Sequence, residues 1–209
     1  MTKTKLVWIT PEAEKNIMYC ARVSSNNQDS SNTRLLNYCI NHGHWSIFEM
    51  ANMCIEITTT RAISPQILRH RSFSFQEFSQ RYAACPGLTP TTPRRQDTKN
   101  RQNSFEDLDV DTLTWWDCVE HDLHKYALDK YREALDKGIA KESARFLLPG
   151  AAETKLYMNG TIRSWLHYLQ LRTHESTQLE HREIAQEIEL ILAEHLPIVY
   201  NAYKDLKGE

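Results

Sequence analysis

The chain is predicted to be an α+β (mixed α/β) protein: one helix-rich domain over residues 1–209 with a small central β-sheet. Three observations carry this. Helical periodicity is the dominant pattern, at 11–41, 111–137, 161–172 and 176–194. Strand-like patterning is confined to two short runs, 51–60 and 152–158. Hydrophobic residues make up 41% and charged residues 25% of the 209, which suits a single compact globular unit.

The elements follow in chain order. Residues 11–41 read as helix, ending at Asn41-His42-Gly43-His44 with Gly43 as the stop. Residues 51–60, Ala-Asn-Met-Cys-Ile-Glu-Ile-Thr-Thr-Thr, are β-rich and partly alternating. Ser64-Pro65 reads as an N-cap with proline at the first helical position, opening a helix from Pro65 to about Arg71. An extended segment follows it. Residues 85–104 form a loop, mobile or solvated, with Pro86-Gly87, Pro90, Pro93 and a basic patch at Arg94-Arg95 and Lys99-Asn100-Arg101. A long helix runs from about Asp111 to Lys137, with Gly138 at C′. Another spans Lys141 to Leu147, before Pro149. Residues 152–158 read as a weak strand and Asn159-Gly160 as a turn. Thr161 caps a helix to Arg172; a last helix covers 176–194, and Pro197 breaks it before a short tail. No internal repeat or low-complexity tract is present.

Composition excludes several classes. Net charge is −2, so no global field favours nucleic acid or anionic membrane. No apolar run approaches the ~20 residues of a membrane helix. Met1-Thr2-Lys3-Thr4-Lys5 leads into only a short apolar segment, unlike a signal peptide. The five cysteines (20, 39, 54, 85 and 118) are scattered and form no Cys-x-x-Cys. That argues for a reducing, cytoplasmic compartment and against a disulfide scaffold or a zinc site. His121-x-x-His124 has a spacing that could converge on a metal. An exposed polar helix face accounts for it better, and no metal is expected. Trp115-Trp116 reads as core or subunit contact.

The chemistry concentrates in Arg69-His70-Arg71-Ser72-Phe73-Ser74-Phe75-Gln76-Glu77-Phe78-Ser79-Gln80-Arg81-Tyr82. Its aromatics argue against a plain exposed loop, and buried or half-buried arginines need anionic or planar acceptors. The local reading is a pocket wall for a phosphorylated, planar ligand. A second concentration lies on 161–172, where Arg163 and His167 share a helix face and Arg172 lies near the end.

Four blocks in order resemble the flavin-dependent thymidylate synthases. They are His42-Gly43-His44 followed by Glu49; Arg69-His70-Arg71 through Gln76-Glu77-x-Ser79-x-Arg81-Tyr82; Ala144-Arg145-x-x-Leu148-Pro149; and Asn159-Gly160-Thr161-Ile162-Arg163-Ser164-Trp165 through His167-Tyr168 to Leu171-Arg172. They span roughly residues 40–175. Gln76 stands where the family often has Asn, Gln80 where it has Gly, and Thr161 and His167 where some members have Asn.

The resemblance implies reductive methylation of dUMP to dTMP. Methylenetetrahydrofolate gives the carbon, FAD carries hydride and NADPH reduces the flavin. It implies a homotetramer with shared active sites. Arg172 becomes the catalytic candidate, a guanidinium stabilising negative charge on the uracil ring. Arg81 and Arg145, with the Ser79 hydroxyl and nearby backbone, would take the dUMP phosphate. Gln66, Arg69 and Glu77 would hold sugar and base edges, with Ile67, Leu68, Phe78 and Gln80 completing the nucleotide wall. FAD would lie against Ser46, Arg69, His70, Arg71 and Glu77, and against Thr161, Ile162, Arg163 and His167. His44 would lie near the folate. No cysteine falls in any block, so no cysteine nucleophile is expected. Ser79 lacks a local histidine to activate it, which favours nucleotide binding over covalent attack. The competing class is a non-catalytic nucleotide- or RNA-binding module using Arg69, Arg71, Arg81 and the 94–101 patch on phosphates.

Overall fold

A computed structural model describes residues 3–207. Met1 and Thr2, where the N-terminal reading begins, lie outside the described residues, as do Gly208 and Glu209. The sheet has four antiparallel strands in the order β1 (Lys3–Ile9), β2 (Asn52–Thr60), β6 (Glu153–Thr161), β3 (Ser74–Glu77). In β6, Thr154, Leu156, Met158 and Gly160 are buried, while Lys155 and Tyr157 are exposed. Register places Ile55 opposite Met158 and Ile57 opposite Leu156, all fully buried. Each such aliphatic side chain contributes roughly 1.5–3 kcal/mol on burial.

The helices α6 (Ile162–Arg172) and α7 (Leu179–His195) build the core with the sheet. Trp165 of α6 is fully buried and donates its indole N–H to the Met53 carbonyl at 3.0 Å, so α6 is tied to β2 as well as packed against it. The other sheet face carries polar pairs. Lys155 and Tyr157 both reach Glu56, at 3.1 and 2.8 Å. No helix among the described residues is long and apolar enough to cross a membrane.

Several expectations are corrected. Lys3–Ile9 is a strand outside the two expected runs: lysines at 3 and 5 interrupt its apolar pattern, and it sits at the sheet edge. The segment 11–41 is two helices, α1 (Ala13–Ala21) and α2 (Arg34–Asn41). Between them, serine and asparagine side chains capture backbone amides: Ser25 from Asn27 and Asn32 from Arg34. α3 is a single turn, Ser64–Ile67, and the Ser64 hydroxyl donates to Glu77 instead of capping. Asn159-Gly160 lies inside β6 and not in a turn. Pro197 ends α7 but opens another helix, α8 (Pro197–Lys207), where a tail was expected. The loop at 85–104 contains strand β4 (Arg95–Gln96), paired with β5 (Ser104–Phe105). There Arg94 binds Glu106 and Arg95 binds Asp107.

The long helix α4 (Val110–Asp136) matches its expected span. Asp109 accepts from the Thr112 amide at 2.8 Å, and Gly138 adopts φ +79°, a conformation natural to glycine. Only Tyr131 and Ala134 of α4 are buried, against Ala144 of α5 (Lys141–Ala144). A 3₁₀ turn at Arg145–Leu147 replaces the rest of the helix read there. Trp115 is 60% exposed, which removes it from the core of this protomer.

Candidate active site

The end of β2, the α3 turn and edge strand β3 converge on Glu77. One of its carboxylate oxygens accepts from Ser64 at 2.6 Å and Thr154 at 2.9 Å, and lies 3.0 Å from the Arg61 guanidinium. Arg61 also donates to the Phe78 carbonyl. Glu77 is thereby fixed by three elements. Glu77→Gln removes the ion pair and leaves Arg61 half-buried without a counter-charge. We expect a loss of about 1–3 kcal/mol, read from denaturant unfolding.

Beside this cluster, Arg61, Gln80, Arg145 and Phe146 help line a cavity of ≈ 310 Å³. The Arg61 Nε–H and Gln80 Nε2 groups are buried without hydrogen-bond partners. Buried donors of this kind call for an acceptor, and an anionic ligand supplies one. Arg81 is tied to Glu142 at 3.0 Å, and the Ser79 hydroxyl accepts from the Arg81 amide at 3.3 Å with no histidine among its contacts. Tyr82 is 81% exposed, so the aromatic wall expected there ends at Phe78.

A second grouping joins α6 to the Arg-His-Arg turn. Thr161 caps α6 by accepting from the Ser164 amide at 3.2 Å, and Ser164 donates to the Ser72 carbonyl at 3.2 Å. Arg172, in the last turn, donates from Nε to Nε2 of His70 at 2.8 Å. A guanidinium only donates, so His70 Nε2 is bare and accepts. The His70 ring meets the Tyr168 ring edge-on at 4.9 Å and lies 6.2 Å from that of His181.

Burial, then the Arg172 charge, pushes His70 down to about 4. Burial, Arg172 and His70 push His181 down to about 3. Unfolded, both titrate near 6.5, so the unfolded chain takes up protons first as pH falls. Their contribution to stability is full above pH 6.5 and is lost on descent toward pH 4. The melting temperature should therefore fall between pH 7 and 5, and the His70→Gln, His181→Gln double variant should flatten that slope.

A third grouping lies where the 3₁₀ turn Trp45–Glu49 meets α6. Arg163 pairs with Glu49, and His167 packs edge-on against Trp45 at 4.8 Å. Partial desolvation and the Arg163 charge lower the His167 pKa. Ser46 and His44 are exposed beside them. Arg69 and Arg71 are exposed and make no ion pair with the described residues, leaving two guanidiniums open for a diphosphate. Ile67 and Ile162 are fully buried, so only their backbones can serve a ligand. No group of three His, Cys, Asp or Glu among the described residues is arranged to hold a metal.

Sequence reasoning missed Arg61, Thr154, Gln178 and His181. His181 carried a signal: with Ile184, Ala185 and Ile188 it occupies the apolar stripe of α7, where a histidine must find partners.

The family described as thymidylate synthase complementing protein matches residues 5–198. A flavin-dependent thymidylate synthase of Synechocystis is 55% identical over 184 residues, covering 88% of this chain and 86% of that protein. A probable flavin-dependent thymidylate synthase of Paramecium bursaria Chlorella virus 1 is 49% identical over 194 residues, covering 91% and 90%. The crystal structure of a UMP/dUMP methylase, PolB of Streptomyces cacaoi, bound with 5-Br UMP, superposes with a TM-score of 0.86 at 26% identity, covering 99% of this chain and 95% of that one. The fold, the ordered blocks and the extent of these matches agree: the chain belongs to the flavin-dependent thymidylate synthases, methyltransferases of dTMP biosynthesis.

Proposed function

We propose that the chain, as one domain, methylates dUMP to dTMP with 5,10-methylenetetrahydrofolate as carbon donor and FAD, reduced by NADPH, as cofactor. The observation that carries this reading is the Arg172–His70 contact. It holds a permanently charged, half-buried guanidinium through a neutral imidazole that does not compete for its charge. The remaining N–H groups of Arg172 can meet the uracil oxygens and stabilise the negative charge that makes C5 nucleophilic. Gln66, Arg69 and Glu77 orient sugar and base. Arg145, Arg81, Ser79 and Gln80 take the phosphate, with Arg61 added to that set by its unpartnered Nε–H.

FAD, when bound, supplies hydride transfer. Arg69 and Arg71 suit its diphosphate, and His70, Thr161, Arg163 and His167 offer hydrogen bonds along it, with Ser46 at the adjoining turn. His44 is assigned to the folate side.

Assembly into a homotetramer is supported by the apolar face of α4. Leu123, Tyr126, Ile139 and Leu147 are exposed around a groove of ≈ 630 Å³. The free thiols suit a cytoplasmic setting. Arg94 and Arg95 are committed to Glu106 and Asp107, which leaves Lys99 and Arg101 of the basic patch for phosphates and counts against the binding-module reading.

The test is a visible absorption spectrum of the purified protein, then dUMP-dependent NADPH oxidation on the same sample. A flavin spectrum with dUMP-stimulated oxidation is expected. A colourless protein that cannot be reconstituted with FAD would sink the proposal.

A further inference from the structure

We propose that His181 is a positioning residue that sets the orientation of the Gln66 amide toward the nucleotide. This rests on the reading of Gln66 as a nucleotide contact. His181 is fully buried in α7, 115 residues from Gln66; it meets Gln66 and the Tyr168 hydroxyl through its two ring nitrogens, and the His70 ring lies edge-on 6.2 Å away.

Donor and acceptor chemistry fixes every proton in the chain of contacts. His181 Nδ1 lies 3.4 Å from Gln66 Oε1, a carbonyl oxygen that can only accept, so Nδ1 carries the hydrogen. The ring is neutral, because burial and the nearby Arg172 disfavour a second proton. Nε2 is therefore bare and accepts from the Tyr168 hydroxyl at 3.1 Å. On the other side, Gln66 Nε2 donates to Gln178 Oε1 at 2.6 Å, and Gln178 Nε2 donates to Glu180 at 3.0 Å. Reversing the Gln66 amide would set its NH₂ against the His181 N–H and its oxygen against the Gln178 oxygen. Both neighbours would then repel. One amide N–H and one carbonyl lone pair of Gln66 remain for a ligand, in a fixed arrangement. The same Tyr168 ring packs on His70, which holds Arg172, so Gln66 and Arg172 share one buried support.

Two substitutions separate this role from simple filling of the core. The amide nitrogen of asparagine falls near the position of Nδ1; that of glutamine falls near Nε2. The test measures dUMP dissociation constants by calorimetry on the flavin-loaded protein. His181→Asn should stay within about threefold of wild type, while His181→Gln should weaken binding about tenfold, the size of one lost hydrogen bond to an oriented polar group. Gln66→Ala should cost a similar factor, and His181→Gln added to it should cost no more. A role confined to packing would not rank Asn above Gln. A measurement on wild type needs no variant to fold: ¹⁵N shifts of labelled histidine should show His181 as the Nδ1–H tautomer. The Nε2–H tautomer, equal dUMP affinity for both variants, or an undiminished effect of His181→Gln in the Gln66→Ala background would each overturn the proposal. If wild type itself binds no dUMP, the nucleotide reading falls and takes this one with it.

Discussion

Arg172→Ala should lower kcat by about a hundred- to a thousandfold, the cost of removing one preorganised charge partner from a developing anion. The size follows from the position of the side chain. Arg172 is half-buried, and its Nε is already committed to His70 at 2.8 Å. The guanidinium plane is therefore set before any ligand arrives, and the charge needs no reorganisation during reaction. Arg172→Lys should fail nearly as badly. An ammonium keeps the charge but cannot bond His70 and reach two uracil oxygens with one planar fork. Melting temperature should change little in either variant, because the side chain lies at the end of α6 and outside the apolar core. Steady-state turnover, with flavin content as control, checks this. Near-normal turnover in Arg172→Ala would remove Arg172 from the chemistry.

His70 provides an internal comparison. If it acts through Arg172, His70→Ala should slow turnover less than Arg172→Ala does, and the double variant should be no slower than Arg172→Ala alone.

The parts of the fold that were legible in the sequence are those whose signals are local. The span of α4 follows from an Asp cap and a closing Gly138, and α6 from Thr161 and a 3.6-residue period. β2 carries its alternation in Met53, Ile55 and Ile57. What was missed depends on partners far along the chain. β1 is a strand because β2, some fifty residues later, offers it a ladder. Asn159-Gly160 has the dipeptide chemistry of a turn, yet pairing with Cys54 and Met53 on one side keeps it extended. The site divides the same way. Contiguous motifs brought Arg69 to Arg81 and Thr161 to Arg172 to attention. Arg61, Thr154 and His181 gain meaning only when Glu77, Gln66 and Tyr168 are seen beside them.

Gly160 is where that failure has its largest consequence for stability. A Cβ built on Gly160 would sit 2.4 and 2.6 Å from the Cδ1 and Cε1 atoms of Phe73, closer than carbon atoms approach. The ring has little freedom to withdraw. It is 9% exposed and packs edge-on against Trp165 at 4.8 Å and Tyr168 at 6.0 Å. The backbone of β6 is equally held, paired with β2 through Met53 and with β3 through the neighbouring Asn159. Gly160→Ala should therefore destabilise the protein by about 1–3 kcal/mol or more through overpacking. That corresponds to a fall of roughly 3–10 °C in melting temperature for a chain of this size. Phe73 stands between His70 and Trp165, so a displaced ring also shifts the imidazole that holds Arg172. Turnover measured well below the new melting temperature should fall as well, which a purely global loss of stability would not produce. Phe73→Leu in the same chain removes the clashing ring atoms and should recover part of the stability lost by Gly160→Ala, a coupling that additive effects would exclude. A wild-type melting temperature in Gly160→Ala would mean that β6 and the Phe73 ring separate more freely than their packing allows.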